Sequence, residues 1–364
     1  MRSRAIEALS SQLDLVGNPA ALHRAGQRAR RVLEEAREQL ASALGAHPTE
    51  VIFTSGGSEA NSIAVLGGSM RQRATGRNRT LVSAVEHPAV LGAKDQGAEI
   101  IPVDSDGRVD IAAAQELFDE EVGIVSVMQV NNETGIVQPL DELVAACGGR
   151  GAWLHSDAVQ ALGHVPVNFA RQGLDMLSVS AHKVGGPVGV GALVAKRDVK
   201  PRPIGLGGGQ EREIRSGTAM AGLASSFAAA ADEAVAELAA ETDRLLKLKQ
   251  ELVRIVSESG GIINAPGTDS APHILNATFP GIKADDLLFL LDFQGVYASV
   301  GSACRAGVHQ PSEVLLAMGR SVEEATASIR LSTGHTTTAQ DVARVARVLP
   351  TAVAQARNVP DSRS

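Results

Sequence analysis

Short apolar runs alternate with helical stretches along much of this chain, and that alternation restricts the fold more than any other feature. Residues 51–53, 80–84, 99–103, 123–130, 152–155, 176–180 and 188–194 read as strands. Helical stretches lie between several of them, at 60–66, 111–118 and 140–147. Ahead of them, residues 20–44 predict a charged amphipathic helix with Leu22, Ala25, Ala29, Val32, Leu33, Ala36 and Leu40 on one face, and Gly45 as its C-cap. Strands separated by helices need crossover connections, so the sheet is expected to be mostly parallel and buried on both faces. From 219 to 258 Ala, Glu, Leu and Lys dominate, which predicts one long helix with Gly222 inside it. New apolar runs at 273–279, 287–291 and 328–332 then follow in a shorter α+β pattern. The expected class is α/β. A large domain over 21–230 carries a mostly parallel sheet flanked by helices, and a smaller α+β C-terminal domain over 231–364 opens with the long linking helix. The tail after Asn358 is expected to fray.

Composition narrows the function classes. A chain of 364 residues has room for two or three compact units, and 44% hydrophobic with 21% charged residues is a globular mixture. A formal net charge of −7 is the wrong sign for a nucleic-acid surface, and seven Phe, one Trp and one Tyr leave few stacking platforms. Only two cysteines occur, Cys147 and Cys304, so a disulfide framework is excluded and a reducing cytoplasm fits. No charged-then-apolar leader and no bilayer-length apolar run is present, so neither secretion nor a membrane is expected.

Chemistry-bearing residues fall at the ends of the expected strands. In Ser180-Ala-His-Lys183, a lysine follows a buried strand. It reads either as a solvated loop residue or as an amine whose lowered pKa suits attack on an aldehyde, as enzymes of pyridoxal phosphate (PLP) require. That cofactor also needs a carboxylate against its ring nitrogen. Asp157, in His155-Ser-Asp157-Ala-Val-Gln160, follows a strand end, where ligands sit in open α/β sheets, although a helix N-cap would use the same residue. Gln160, one helical turn on, could donate to the ring oxygen. Gly56-Gly57-Ser58-Glu59, between strand and helix, could cradle a phosphate, and His87 could cover a ring face. Cys304 lies among small residues between Gly301 and Gly307, beside Arg305, a setting that favours thiolate; Cys147 reads as an inert helix residue. The nine histidines are scattered, and no Cys-x-x-Cys or His-Glu-x-x-His spacing occurs.

Taken in order, these residues carry a resemblance. Thr54-Ser-Gly-Gly-Ser-Glu59, Glu86-His87, Asn131-Asn-Glu-Thr-Gly135, Ser156-Asp157-Ala-Val-Gln160, Ser180-Ala-His-Lys183, Gly207-Gly-Gly-Gln-Glu211, Arg215-Ser-Gly-Thr218, Gly301-Ser-Ala-Cys304 and Ile329-Arg330-Leu-Ser follow one another from Gly17-Asn-Pro19 to about His335. The chain resembles the cysteine desulfurases of the NifS/IscS type, among the fold-type I PLP-dependent transferases of the class V aminotransferase family. The resemblance implies removal of sulfur from L-cysteine, giving L-alanine and a persulfide on Cys304. It implies Lys183 as the Schiff-base lysine, His87 stacked on the ring, Asp157 at the ring nitrogen and Gln160 at the ring oxygen. Gly57, Ser58, Ser180 and His182 correspond to phosphate-binding positions, and Thr218 to a phosphate ligand lent by the second subunit of a homodimer. Asn132 corresponds to an amide near the cofactor, Arg330 to the arginine that grips the substrate carboxylate, and Asn18 to a substrate neighbour. No resident metal is implied; Cys304 alone would touch an iron–sulfur cluster, transiently. The stretch from Cys304 to Pro311 matches the longer IscS-like loop, so a sulfur-acceptor protein such as an iron–sulfur scaffold is the expected partner.

One departure concerns the start. The family usually opens with a short strand and an Ala-Thr-Thr-Pro segment ahead of Gly-Asn-Pro, whereas this chain begins beyond it. Residues 1–20 are expected as a shortened N-terminal segment that packs with the smaller domain. Other readings are a PLP-dependent C–S lyase or selenocysteine lyase, and a non-catalytic sulfur-transfer partner. An NAD-dependent Rossmann enzyme lacks its Gly-x-Gly-x-x-Gly at the first strand turn.

Overall fold

The computed structural model describes residues 1–266, 269–301 and 310–358. It divides into two compact units: residues 1–102, 109–130 and 138–238 form the first, and 103–108, 131–137 and 239–364 the second.

The first unit is built on a seven-stranded sheet. Its strands are β1 (Val51–Thr54), β2 (Arg79–Ser83), β3 (Glu99–Ile101), β4 (Val122–Ser126), β5 (Trp153–Asp157), β6 (Met176–Ser180) and β7 (Gly191–Ala195), in the order β1-β7-β6-β5-β4-β2-β3. β2, β3, β4, β5 and β6 pair in parallel, as expected, and β7 runs antiparallel to both β6 and β1. The exception has a geometric cause: Ser180 pairs with Gly191, and the ten residues between them are too few for a crossover. Every residue of β4, β6 and β7 is buried, which is why none of the three strands carries a charged residue. Ile52, Ile63, Ile124, Met176 and Leu193 form part of the core.

The second unit holds a three-stranded antiparallel sheet, β10-β9-β8, made of β8 (Ile262–Ile263), β9 (Ile274–Thr278) and β10 (Ser328–Ser332). Leu252, Ile255, Val256, Leu275, Phe279, Leu287, Leu291, Ile329, Leu349 and Val353 share its core. No helix among the described residues is long and apolar enough to cross a membrane.

Two local expectations need correction. The single helix over 219–258 is two, Ala221–Ala236 and Leu238–Glu258; the first ends at Glu237, where ψ opens to −6°. The N-terminal segment packs within the first unit. The buried Arg2 guanidinium donates to Glu233 at 3.0 Å, Glu237 at 2.6 Å and the Val184 carbonyl at 3.0 Å, and Ser226 Oγ donates to the Ala5 carbonyl.

Candidate active site

Parallel strands end together, so the residues that follow β2, β5 and β6 gather along one edge of the sheet. Asp157 closes β5 and is only 3% exposed. Its Oδ1 accepts from the Val159 N–H at 2.9 Å, and its Oδ2 accepts from Asn61 Nδ2 at 2.6 Å. Burial raises the Asp157 pKa, against these two donors and the nearby charges of His87 and Lys183. His87 follows β2 and caps the helix Pro88–Leu91, its Nδ1 accepting from the Ala89 N–H at 3.1 Å. That bond leaves the ring proton on Nε2. Burial lowers the His87 pKa and the Lys183 charge adds to this, so the ring is held neutral although Asp157 pulls the other way. Lys183 ends a one-turn helix, Ala181–Lys183, directly after β6. Lys183 as a residue is exposed, and its charge acts on Asp157, His87 and His182. Ser180 Oγ lies 2.9 Å from His182 Nδ1, and burial lowers the His182 pKa.

The turn after β1 completes this edge. A Cβ on Gly57 would meet Val159 Cγ2 at 2.6 Å, so only glycine lets this turn close on the turn behind Asp157. Gln160 belongs to that turn and is half-buried; the Leu162 N–H donates to the Ala158 carbonyl at 3.1 Å, which closes a single helical turn across it. Ser58 is exposed. Thr218 is exposed too, and its side chain makes no hydrogen bond to a described residue. Asn18 is exposed and uses its Oδ1 to accept from the Ala20 N–H, 2.9 Å away, in a local turn.

The second unit joins two more of the expected residues. Arg330 lies on β10, and its Nη1 donates to the Asn132 carbonyl at 2.7 Å. Asn132 is buried. Cys304 and its neighbour Arg305 lie outside the described residues.

The aminotransferase class-V family matches residues 2–345. The chain belongs to this family. A relative from Mycobacterium tuberculosis named IscS-like cysteine desulfurase is 44% identical over 371 residues, covering 98% of this chain and 94% of that one. Another from Archaeoglobus fulgidus, cysteine desulfurase IscS 1, is 36% identical, covering 98% and 95% of the two chains. Among solved structures, a NifS-like protein superposes with a TM-score of 0.90 at 31% identity, over 98% of this chain and 96% of its own. DndA from Streptomyces lividans follows with a TM-score of 0.79 at 36% identity, over 91% and 96%.

Three residues of this class-V chain escaped the sequence reading. Asn61 holds Asp157 and sits one helical turn beyond Gly57, a spacing that would have pointed it to the same side. His155 lies two residues before Asp157, hence on the same face of β5. Its ring is fully buried, with Nδ1 2.8 Å from Ser126 Oγ and Nε2 2.9 Å from Ser178 Oγ, and burial pushes it down to about 3. Glu86 precedes His87 and is 2% exposed. Ser83 Oγ and the Met128 N–H both donate to its Oε1, at 2.6 and 2.7 Å, and Oε2 has no partner among the described residues. Desolvation, with the Asp157 charge adding to it, pushes the Glu86 carboxyl up to about 8.

Proposed function

We propose that this chain is a cysteine desulfurase that takes sulfur from L-cysteine, releases L-alanine and carries the sulfur as a persulfide on Cys304. Family membership and the 44% identity to a relative of that name support the class. The observation that carries the reading is Asp157: a buried carboxyl with a donor on each oxygen, under the charge of Lys183. This donor set fits PLP, for it offers a carboxylate to a protonated ring nitrogen, an amine to an aldehyde and a neutral imidazole to a ring face. When bound, PLP supplies an electron sink that stabilises negative charge at the substrate Cα and weakens the carbon–sulfur bond.

Each residue then has a task. Lys183 holds the aldehyde at rest and moves the Cα proton once substrate has displaced it. Asp157 keeps the ring-nitrogen proton in place, Gln160 donates to the ring oxygen, and His87 covers the ring. Gly57, Ser58, Ser180 and His182 hold the phosphate, with Thr218 lent by the second copy in a homodimer. Arg330 grips the substrate carboxylate with its paired N–H groups, next to Asn132, and Asn18 lines the substrate. The Cys304 thiolate attacks the substrate sulfur. A sulfur–sulfur bond forms as the carbon–sulfur bond breaks, and the carbon fragment takes a proton and leaves as alanine. A cytoplasmic acceptor protein such as an iron–sulfur scaffold takes the sulfur from Cys304.

The test is product analysis with L-cysteine and added PLP. Alanine from the wild type and none from Cys304→Ala are expected. Pyruvate as the main product, or undiminished turnover by Cys304→Ala, overturns the reading. Lys183→Ala should leave no adduct for borohydride to trap.

A further inference from the structure

The turn Asn131–Gly135 gathers several bonds of the second unit. Asn131 Oδ1 accepts from the Glu133 N–H at 2.9 Å, the Thr134 N–H at 2.8 Å and Thr134 Oγ1 at 3.1 Å, which fixes the turn. The Asn132 carbonyl then receives Arg330, and the Glu133 carbonyl receives Asn276 Nδ2 from β9 at 3.2 Å. Glu133 itself is 4% exposed, and its Oε2 accepts from Ser312 Oγ at 2.5 Å. An ideal Cβ placed on Gly301 would lie 3.7 Å from Ser312 Cβ and 4.0 Å from Glu133 Oε2. Ser299, two residues earlier, exchanges both backbone hydrogen bonds with Arg330, at 3.1 and 2.6 Å. The residues on either side of 302–309 therefore meet at one buried carboxyl, and that carboxyl belongs to the turn that receives Arg330.

We propose that Glu133 is a positioning residue: through Ser312 it ties the chain that follows the Cys304 segment to the turn that receives Arg330. The proposal rests on the desulfurase reading, in which Arg330 holds the substrate and Cys304 takes its sulfur. Burial raises the Glu133 pKa, while Ser312 and the Arg330 charge oppose this and Glu313 adds to it. The Ser312 hydroxyl is a donor that suits either protonation state.

Ser312 also caps the helix Glu313–Ala317, its Oγ accepting from the Leu315 N–H at 3.1 Å. Ser312→Asp keeps a capping acceptor but removes the donor and sets a second carboxylate against Glu133. In the double variant Glu133→Gln with Ser312→Asp, the new amide can donate to the new carboxylate. With Glu133→Gln alone these make a complete cycle. Ser312→Asp is expected to lower kcat for alanine formation about tenfold while KM for L-cysteine stays within about twofold, and the double variant to recover most of the loss. The rate of Cys304 alkylation by iodoacetamide gives a second readout that needs no turnover, since Cys147 is buried. It should shift in Ser312→Asp and return in the double variant. If kcat and the alkylation rate both match wild type in Ser312→Asp, or neither recovers in the double variant, the tie is refuted. If the alkylation pattern holds but wild type yields no alanine, the tie stands and the desulfurase reading falls.

Discussion

Asn61→Ala removes the donor from Asp157 Oδ2, and its effect can be worked from the geometry. The bond is 2.6 Å long in a site where Asp157 is 3% exposed, so the ionised carboxyl loses a charge-assisted hydrogen bond that water does not replace. Such a bond is worth about 1.5–3 kcal/mol, so the Asp157 pKa should rise further in the variant. Asp157 must be ionised to face a protonated ring nitrogen, so cofactor binding to the variant has to remove a proton first whenever the pH lies below the raised pKa. Spectroscopic titration of the cofactor-free protein with PLP, across the whole pH range in which it stays folded, reads this directly. Affinity should fall by about 10–100-fold at the acid end, and the deficit should shrink as pH rises and the carboxyl ionises unaided. A deficit of constant size across that range would mean that Asn61 acts by packing alone. No deficit at all would mean that it does not hold the carboxylate.

Two further outcomes follow from the same clusters. Glu86 titrates at about 8 when folded against an ordinary 4.5 when unfolded, so between these values the native state holds the extra proton and stability falls as pH rises, by up to about 1.4 kcal/mol per pH unit. His155, at about 3 against 6.5, has the opposite sign below 6.5, so the difference between wild type and Glu86→Gln isolates the glutamate. Urea titrations should show Glu86→Gln gaining on wild type as pH rises, and parallel curves would refute a buried protonated Glu86. Arg330→Ala should raise KM for L-cysteine about 10–100-fold with a smaller change in kcat, and Arg330→Lys should recover only part, because an ammonium cannot make the paired contact. An unchanged KM in steady-state assays would remove Arg330 from the substrate.

What the sequence makes legible is set by the range of the forces involved. Met176–Ser180 reads as a strand because no charged residue interrupts a short segment buried on both faces. Asp157 and Lys183 are legible because each stands at the end of such a run. Asn61 is not, because its role depends on a partner 96 positions away, and His155 depends on serines 29 and 23 positions away on the two flanking strands. Residue type alone gives no sign of such pairings. The break at Glu237 is hidden for the converse reason: local helix propensity continues across it.

Asp157 and Glu86 are two buried carboxyls whose charges oppose each other, and the distribution of donors decides which one ionises. Asp157 has a donor on each oxygen and the Lys183 charge acting on it; Glu86 has both of its donors on a single oxygen, and no cation among the described residues acts on it. One negative charge can then face the ring-nitrogen proton, while Glu86 braces the ends of β2 and β4 as a neutral acid. Asp157→Asn tests this division. Removing that charge should move the Glu86 titration downward, followed by the carboxylic-acid infrared band that Glu86→Gln abolishes. It should nonetheless stay above the ordinary glutamate range, since desolvation is the larger cause. A Glu86 band that titrates identically with and without the Asp157 charge would show that the two groups do not act on each other.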